Sequence, residues 1–263
     1  MSAPPTILVF DSGLGGLTVF REIAKACPKA AYTYVADDAF FPYGHHTEAE
    51  LVGRVVPLMG DLITTHRPDV VVIACNTAST LVLSHLRAAY TVPFVGTVPA
   101  IKPACASSKT RRVSVLGTRG TVQREYTQGL IRDFAQNCEV TLVGAAHLPS
   151  LAEAALNGEV VSDAAILAEI APCFLDGAEC TDTVVLACTH FPLLLDRLVT
   201  LAPWPVDWID PAPAIARRTA ALVSQTASQR APAPAQFIFT SGAEPSPPLR
   251  VALAPYFGEP AFA

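Results

Sequence analysis

Two segments constrain the fold of this chain more than any other feature. VVIACNTASTLVL begins at Val71 and VVLACTHFPLLLD at Val184, an offset of 113 residues that puts Cys75 and Cys188 in register. Each opens as a continuous apolar run, the pattern of a strand covered on both faces, and passes through a short polar turn into a helical stretch. The alternation recurs. Thr6–Phe10 leads through DSGLGG to a helix over Leu17–Ala26, and Tyr32–Ala36 is a second strand. Thr47-x-x-Glu50 is a capping box for a helix running to about His66, and Val70–Ala74 leads through Cys75 to a helix ending near Tyr90. The pattern then restarts with a strand over Val113–Leu116, a helix over Val122–Phe134 and a strand over Val140–Val143. Helices over Pro149–Asn157 and Asp163–Phe174 follow, then a strand over Thr183–Ala187 and a further helix. ILVFDSG from Ile7 matches VSVLGTR from Val113 loosely. Strand–helix alternation of this kind predicts parallel α/β architecture, here in two similar halves related by duplication.

Composition excludes several classes. Hydrophobic residues are 51% of the 263 and charged residues 16%, so the chain can bury enough apolar surface to order itself. A net charge of −5 argues against a nucleic-acid surface, which needs clustered cations. The longest apolar runs are of strand length, so no membrane span is expected, and MSAPPTILVFDSG lacks the basic region of a signal peptide. Seven cysteines with no CxxC pair fit reduced thiols in a cytoplasmic protein. Eleven of the 23 prolines lie from Pro203 onward; Gln229–Gln236 reads as a loop or stiff linker and Phe237–Thr240 as one more strand. The tail is expected to return to the first half. This gives one discontinuous domain of residues 1–97 plus about 212–263, and a second of residues 98–211.

Cys75 and Cys188 fall at the carboxyl ends of predicted strands, where ligands of open α/β sheets collect. A helix start there favours thiolate. Across a cleft, one thiolate could remove a proton from a substrate carbon while the other thiol delivers one to the opposite face; a disulfide is the alternative. Cys27, Cys105, Cys138, Cys173 and Cys180 lack this context and read as structural. Asn76, Thr77 and Thr189 are capping residues that could also hold a carboxylate. Asp11 could face a substrate ammonium or a thiol, and Ser12 a carboxylate. DSGLGG with Asp37 downstream also suggests a dinucleotide loop, although Thr18 stands where the last glycine belongs. In DDAFFPYG, Pro42 and Gly44 shape a loop from which Tyr43 offers its ring, hydroxyl and nearby N–H groups. His45 and His46 read as solvent-facing, with a metal site as the alternative. His190 suits proton handling beside Cys188. Glu153 reads as either a surface glutamate or a site carboxylate, and Thr118 and Thr121 as substrate donors or a helix cap.

Taken together, FDSGLGGLTV, DDAFFPYG, VVIACNTAST, VSVLGTRGTV and VVLACTHFPLL resemble the glutamate racemases of the aspartate/glutamate racemase superfamily. The similarity runs from about Ile7 to the Phe237–Gly242 segment. It implies two pseudosymmetric three-layer α/β domains with mainly parallel sheets and the active site in the cleft between them. It also implies a cytoplasmic enzyme, without cofactor or metal, that interconverts L- and D-glutamate and supplies D-glutamate for peptidoglycan; homodimers are common in the family. By this resemblance Cys75 acts on D-glutamate with Asp11 assisting, and Cys188 acts on L-glutamate with His190 assisting and Glu153 behind it. Asp11, Ser12, Pro42, Tyr43, Gly44, Asn76, Thr77, Thr118, Thr121, Thr189 and His190 would hold the substrate. Two departures stand out: Phe40 replaces a common arginine, and Ala146-His147 replaces a common Cys-Pro pair. A racemase for aspartate or another amino acid, a thiol redox or metal-binding protein, and a non-catalytic glutamate-binding module remain the alternatives.

Overall fold

The computed structural model of the chain describes residues 4–177, 179–223, 235–257 and 261–262. Its contacts divide into two units, Met1–Thr97 with Ala212–Ala263, and Val98–Pro211. In the first unit β1 (Thr6–Asp11), α1 (Leu17–Ala26), β2 (Ala31–Ala36), α2 (Glu48–His66) and β3 (Val70–Ile73) come first. Two short helices, α3 (Asn76–Leu81) and α4 (Leu83–Ala89), and β4 (Phe94–Gly96) follow. The second unit contains α5 (Ile101–Ser107), β5 (Arg112–Gly117), α6 (Arg119–Val122), α7 (Glu125–Phe134), β6 (Glu139–Gly144), α8 (Leu148–Leu156) and α9 (Asp163–Ile170). It ends with β7 (Thr183–Ala187), α10 (Leu195–Leu201) and β8 (Asp207–Ile209). The chain then completes the first unit with α11 (Ala212–Val223), β9 (Gln236–Phe239), α12 (Pro247–Phe257) and β10 (Ala261–Phe262).

Among the described residues every strand pair is parallel. The first sheet has the order β10-β9-β2-β1-β3-β4 and the second β6-β5-β7-β8. The second therefore repeats the β2-β1-β3-β4 part of the first. Ile7 pairs with Val70 as Val113 pairs with Thr183, which carries the 113-residue offset of the cysteine segments into the sheet register.

Strand alternation explains why both sheet faces are covered. In the first unit Leu8, Phe10, Val71 and Ile73 point to the side where α2 lays Leu51, Val55, Met59 and Leu62, a helical spacing that forms one stripe. In the second, Leu116, Val184 and Leu186 meet Leu148 and Ala152 of α8, Ile166 and Ile170 of α9 and Leu198 of α10. Their neighbours Val113, Val115, Val185 and Ala187 meet Ile101, Ala104 and Cys105 of α5. Each unit is thus helix, sheet, helix. No described helix is long and apolar enough to cross a membrane.

The capping box at Thr47 forms as expected: its side chain accepts from Glu50 N, and the Glu50 carboxylate accepts from Thr47 N. Four expectations need correction. The helix after Cys75 breaks at Val82 into α3 and α4. The helix expected from Val122 starts earlier, because Thr118 caps α6, and it restarts at Glu125. The helix from Asp163 stops at Ile170 and tightens into a 3-10 turn over Ala171–Cys173, where Pro172 has no N–H to donate. Beyond β7, a 3-10 turn over Phe191–Leu194 containing Pro192 precedes α10. In the expected linker, residues 229–234 lie outside the described residues.

Candidate active site

In the first unit the candidate residues gather at the carboxyl ends of β1, β2 and β3. Cys75 follows β3 as the N-cap residue of α3 and is buried. Its sulfur lies 3.6 Å from Ser12 Oγ, just beyond β1. Asp11, the last residue of β1, turns its carboxylate back onto its own loop: Oδ2 accepts from Gly13 N at 3.3 Å and Gly16 N at 2.8 Å. These are N–H groups a phosphate would need, so the dinucleotide reading of DSGLGG fails on geometry. Gly16 does supply close packing, since a Cβ there would sit 2.8 Å from Asp11 Cβ and from Tyr34 Oη. Thr77 is buried beside the thiol. Asn76 is 2% exposed, and neither its Oδ1 nor its Nδ2 meets a hydrogen-bond partner among the described residues. A buried amide left unpaired in this way costs free energy unless a polar ligand satisfies it.

The DDAFFPYG loop is held by a buried carboxylate whose role the sequence did not expose. Asp37 accepts from Tyr43 Oη at 2.6 Å, Arg54 Nε at 3.1 Å, Arg54 Nη2 at 2.6 Å and Thr240 Oγ1 at 2.6 Å. Burial alone would raise its pKa, but the bonds from Arg54, Thr240 and Tyr43 outweigh burial and hold the carboxyl below the usual range. Asp37 is therefore an ion-paired hub, unavailable to a ribose hydroxyl. Tyr43 is driven well above the ordinary phenol range by burial and by the Asp37 charge, so it stays a neutral donor. Pro42 follows a cis peptide bond, and Gly44 lies in the turn over Tyr43–His45. His45 is exposed as expected, and His46 is half-buried with its ring stacked on Phe40 at 3.9 Å.

The second unit builds its thiol site differently. Cys188 follows β7 and is buried, with its sulfur 3.8 Å from His190 Nδ1. His190 Nε2 lies 2.8 Å from Glu153 Oε1 on α8. Burial alone would lower the imidazole pKa; the hydrogen bonds to Cys188 and Glu153 outweigh it and raise His190 well above its ordinary value. The ring is fixed between a sulfur and a carboxylate, and both favour its protonated form. Thr189 is buried alongside. Thr118 and Thr121 form a cap, with Thr121 N donating to Thr118 Oγ1 at 3.1 Å and their hydroxyls 3.0 Å apart. The repeat is chemically unequal: where β1 ends in Asp11, β5 ends in Gly117, and the Glu153–His190 pair supplies charge instead.

Two parallel α/β units with equivalent strand-end thiols define a class of protein. The chain belongs to the Asp/Glu/Hydantoin racemase family, which matches residues 7–219. Among its relatives are glutamate racemases of Brucella ovis, 56% identical over 219 residues (82% of this chain, 79% of the relative), and of Brucella anthropi, 58% identical over 220 residues with the same coverage. The crystal structure of Escherichia coli glutamate racemase in complex with L-glutamate and the activator UDP-MurNAc-Ala is similar at TM-score 0.90 and 41% identity, covering 98% of this chain and 97% of that one.

Proposed function

We propose that the protein is a cofactor-independent glutamate racemase, an isomerase that interconverts L- and D-glutamate using Cys75 and Cys188 as the two acid–base groups. The observation that carries this reading is the pair of buried, register-equivalent strand-end cysteines, each with its own polar partner. Glutamate racemases at 56–58% identity support the substrate. In the proposed reaction one sulfur, as thiolate, takes the α-proton and the other thiol protonates the opposite face of the carbon. Cys188 acts on L-glutamate and Cys75 on D-glutamate.

The weak acidity of the α-carbon is the main barrier, and preorganised donors lower it. In this reading the unpaired Asn76 amide, Ser12, Thr77, Thr121, Thr189, and the Pro42–Tyr43–Gly44 turn hold the substrate's carboxylates and ammonium. The His190 imidazolium stabilises negative charge on Cys188 without leaving its place, because Glu153 anchors the far nitrogen. Asp11 assists at Cys75. The proposal also includes a cytoplasmic location, a supply of D-glutamate for peptidoglycan precursors, and a homodimer.

The test is incubation with L-glutamate in deuterated water, following optical rotation and deuterium at the α-carbon. Racemisation with one deuterium incorporated per inversion is expected. Each of Cys75→Ala and Cys188→Ala should lose racemisation by at least about a hundred-fold, the lower end of what one positioned acid–base group supplies. Binding without α-deuteration would overturn the racemase reading in favour of a binding module. Faster turnover of aspartate than of glutamate would overturn the substrate.

A further inference from the structure

Cys105 and Cys138 belong to neither thiol site described above, yet the fold brings them together. Cys105 lies in α5, the first helix of the second unit, and Cys138 in the turn between α7 and β6. Cys138 Sγ donates to Cys105 O at 3.5 Å, which brings the two cysteines side by side. Both border a cavity of about 350 Å³ lined as well by Lys102, Arg111, Asp133 and Phe134. Arg111 Nη1 bonds to Cys105 O at 3.1 Å, and Lys102 sits 5.2 Å over the Phe134 ring. The cavity therefore gives a small polar oxidant a path to two sulfurs.

We propose that Cys105 and Cys138 form an oxidisable dithiol, which hydrogen peroxide entering this cavity converts to a disulfide within the second unit. Cys138 is the half-exposed partner and reacts first. Its thiolate attacks one peroxide oxygen, the O–O bond breaks, and hydroxide leaves to take up a proton as water. The resulting Cys138 sulfenic acid is then attacked by Cys105 sulfur. The S–S bond forms, the sulfenic oxygen departs with the Cys105 proton as a second water, and the two thiols have supplied the two electrons that reduce one peroxide. This order follows from exposure: Cys105 is buried, which pushes its thiol up to about 12, so the more accessible Cys138 meets peroxide first and Cys105 closes the bond afterwards. The bond would close a loop between residues 33 apart and staple α5 to the entry of β6.

The experiment treats the full chain with one to a few equivalents of peroxide, blocks remaining thiols with iodoacetamide, and maps peptides by mass spectrometry without reduction. The expected result is a joined Cys105–Cys138 peptide, two hydrogens lighter than its parts, which dithiothreitol restores. The thermal midpoint should rise with the cross-link and fall back on reduction. In Cys105→Ser, dimedone should trap Cys138 as a sulfenic acid adduct; in Cys138→Ser, the cross-link should vanish and Cys105 should resist oxidation. Recovery of both residues as alkylated thiols, or of Cys138 as an unbridged sulfinic acid, would overturn the proposal. None of these readouts depends on racemisation, so the two proposals fail separately.

Discussion

A single added carbon at Gly16 tests how closely the thiol-bearing end of the first sheet is packed. A Cβ there would press on Asp11 Cβ and Tyr34 Oη at 2.8 Å and on Ala74 Cβ at 3.0 Å, and none of these is the free end of a flexible chain. Gly16→Ala is expected to cost roughly 1–3 kcal/mol, the usual range for overpacking, as measured by urea denaturation. His190 offers a test that depends on pH. Its folded pKa is raised above the unfolded value of about 6.5, so its stabilising contribution is complete below about pH 6.5 and is lost as pH rises through the folded pKa. The stability gap between wild type and His190→Asn should therefore narrow as the medium becomes alkaline. Glu153→Gln removes one of the two hydrogen-bonding partners that raise the pKa. It should move the basic limb of the kcat/KM profile for glutamate to lower pH. An unmoved limb would mean that His190 does not titrate in that profile.

Elements, rather than single residues, are tied together by two carboxylates. Asp37 joins the end of β2, the Tyr43 turn, α2 through Arg54 and the end of β9 through Thr240. Arg54→Met would leave a fully buried carboxylate without its cation, at an expected cost of about 2–4 kcal/mol in urea denaturation, below the fully buried limit because Arg54 is itself 34% exposed. Asp182 fastens the strand-β7 entrance to the turn after α5, accepting from Ser108 Oγ, Lys109 N, Thr110 N and Thr183 Oγ1. Burial would raise this carboxyl, but those bonds lower it to about 2. Its contribution is present above the unfolded pKa of about 3.9 and is lost as pH falls through the folded value. Asp182→Asn should accordingly cost roughly 1–2 kcal/mol at neutral pH, allowing for solvent screening, and the cost should shrink towards zero as pH falls below about 2. The limits of sequence reading show at this scale. Leu17–Ala26 and Thr183–Ala187 were legible to the residue, because periodicity and breakers agree there. Phe94–Gly96 and Asp207–Ile209 are too short to carry a period, and their strand character comes from pairing with β3 and β7. The cysteine register was legible because it repeats. The Asp37–Thr240 contact was not, because it joins residues 203 apart and nothing local marks either as a partner.

At the scale of the whole molecule, the repeat of β2-β1-β3-β4 as β6-β5-β7-β8 gives two sheets that share no strand. Gly16→Ala and Asp182→Asn fall in different units and share no partner, so the double variant should lose the sum of the single losses to within about 0.5 kcal/mol. A larger discrepancy would show that the units are energetically coupled. The two sheets differ in how their margins are finished. β9 and β10 extend the first sheet beyond β2, with Phe237 stacked on Tyr34 at 4.9 Å, yet both come from the far end of the chain. On the ribosome the second unit emerges whole and uninterrupted, whereas the strand that covers β2 follows residue 97 by roughly 140 residues, about 7–28 s of elongation. Throughout that interval the nascent first sheet has a bare hydrogen-bonding margin beside Tyr34, open to another copy of itself on the same polysome, and the arrival of Phe237 closes it.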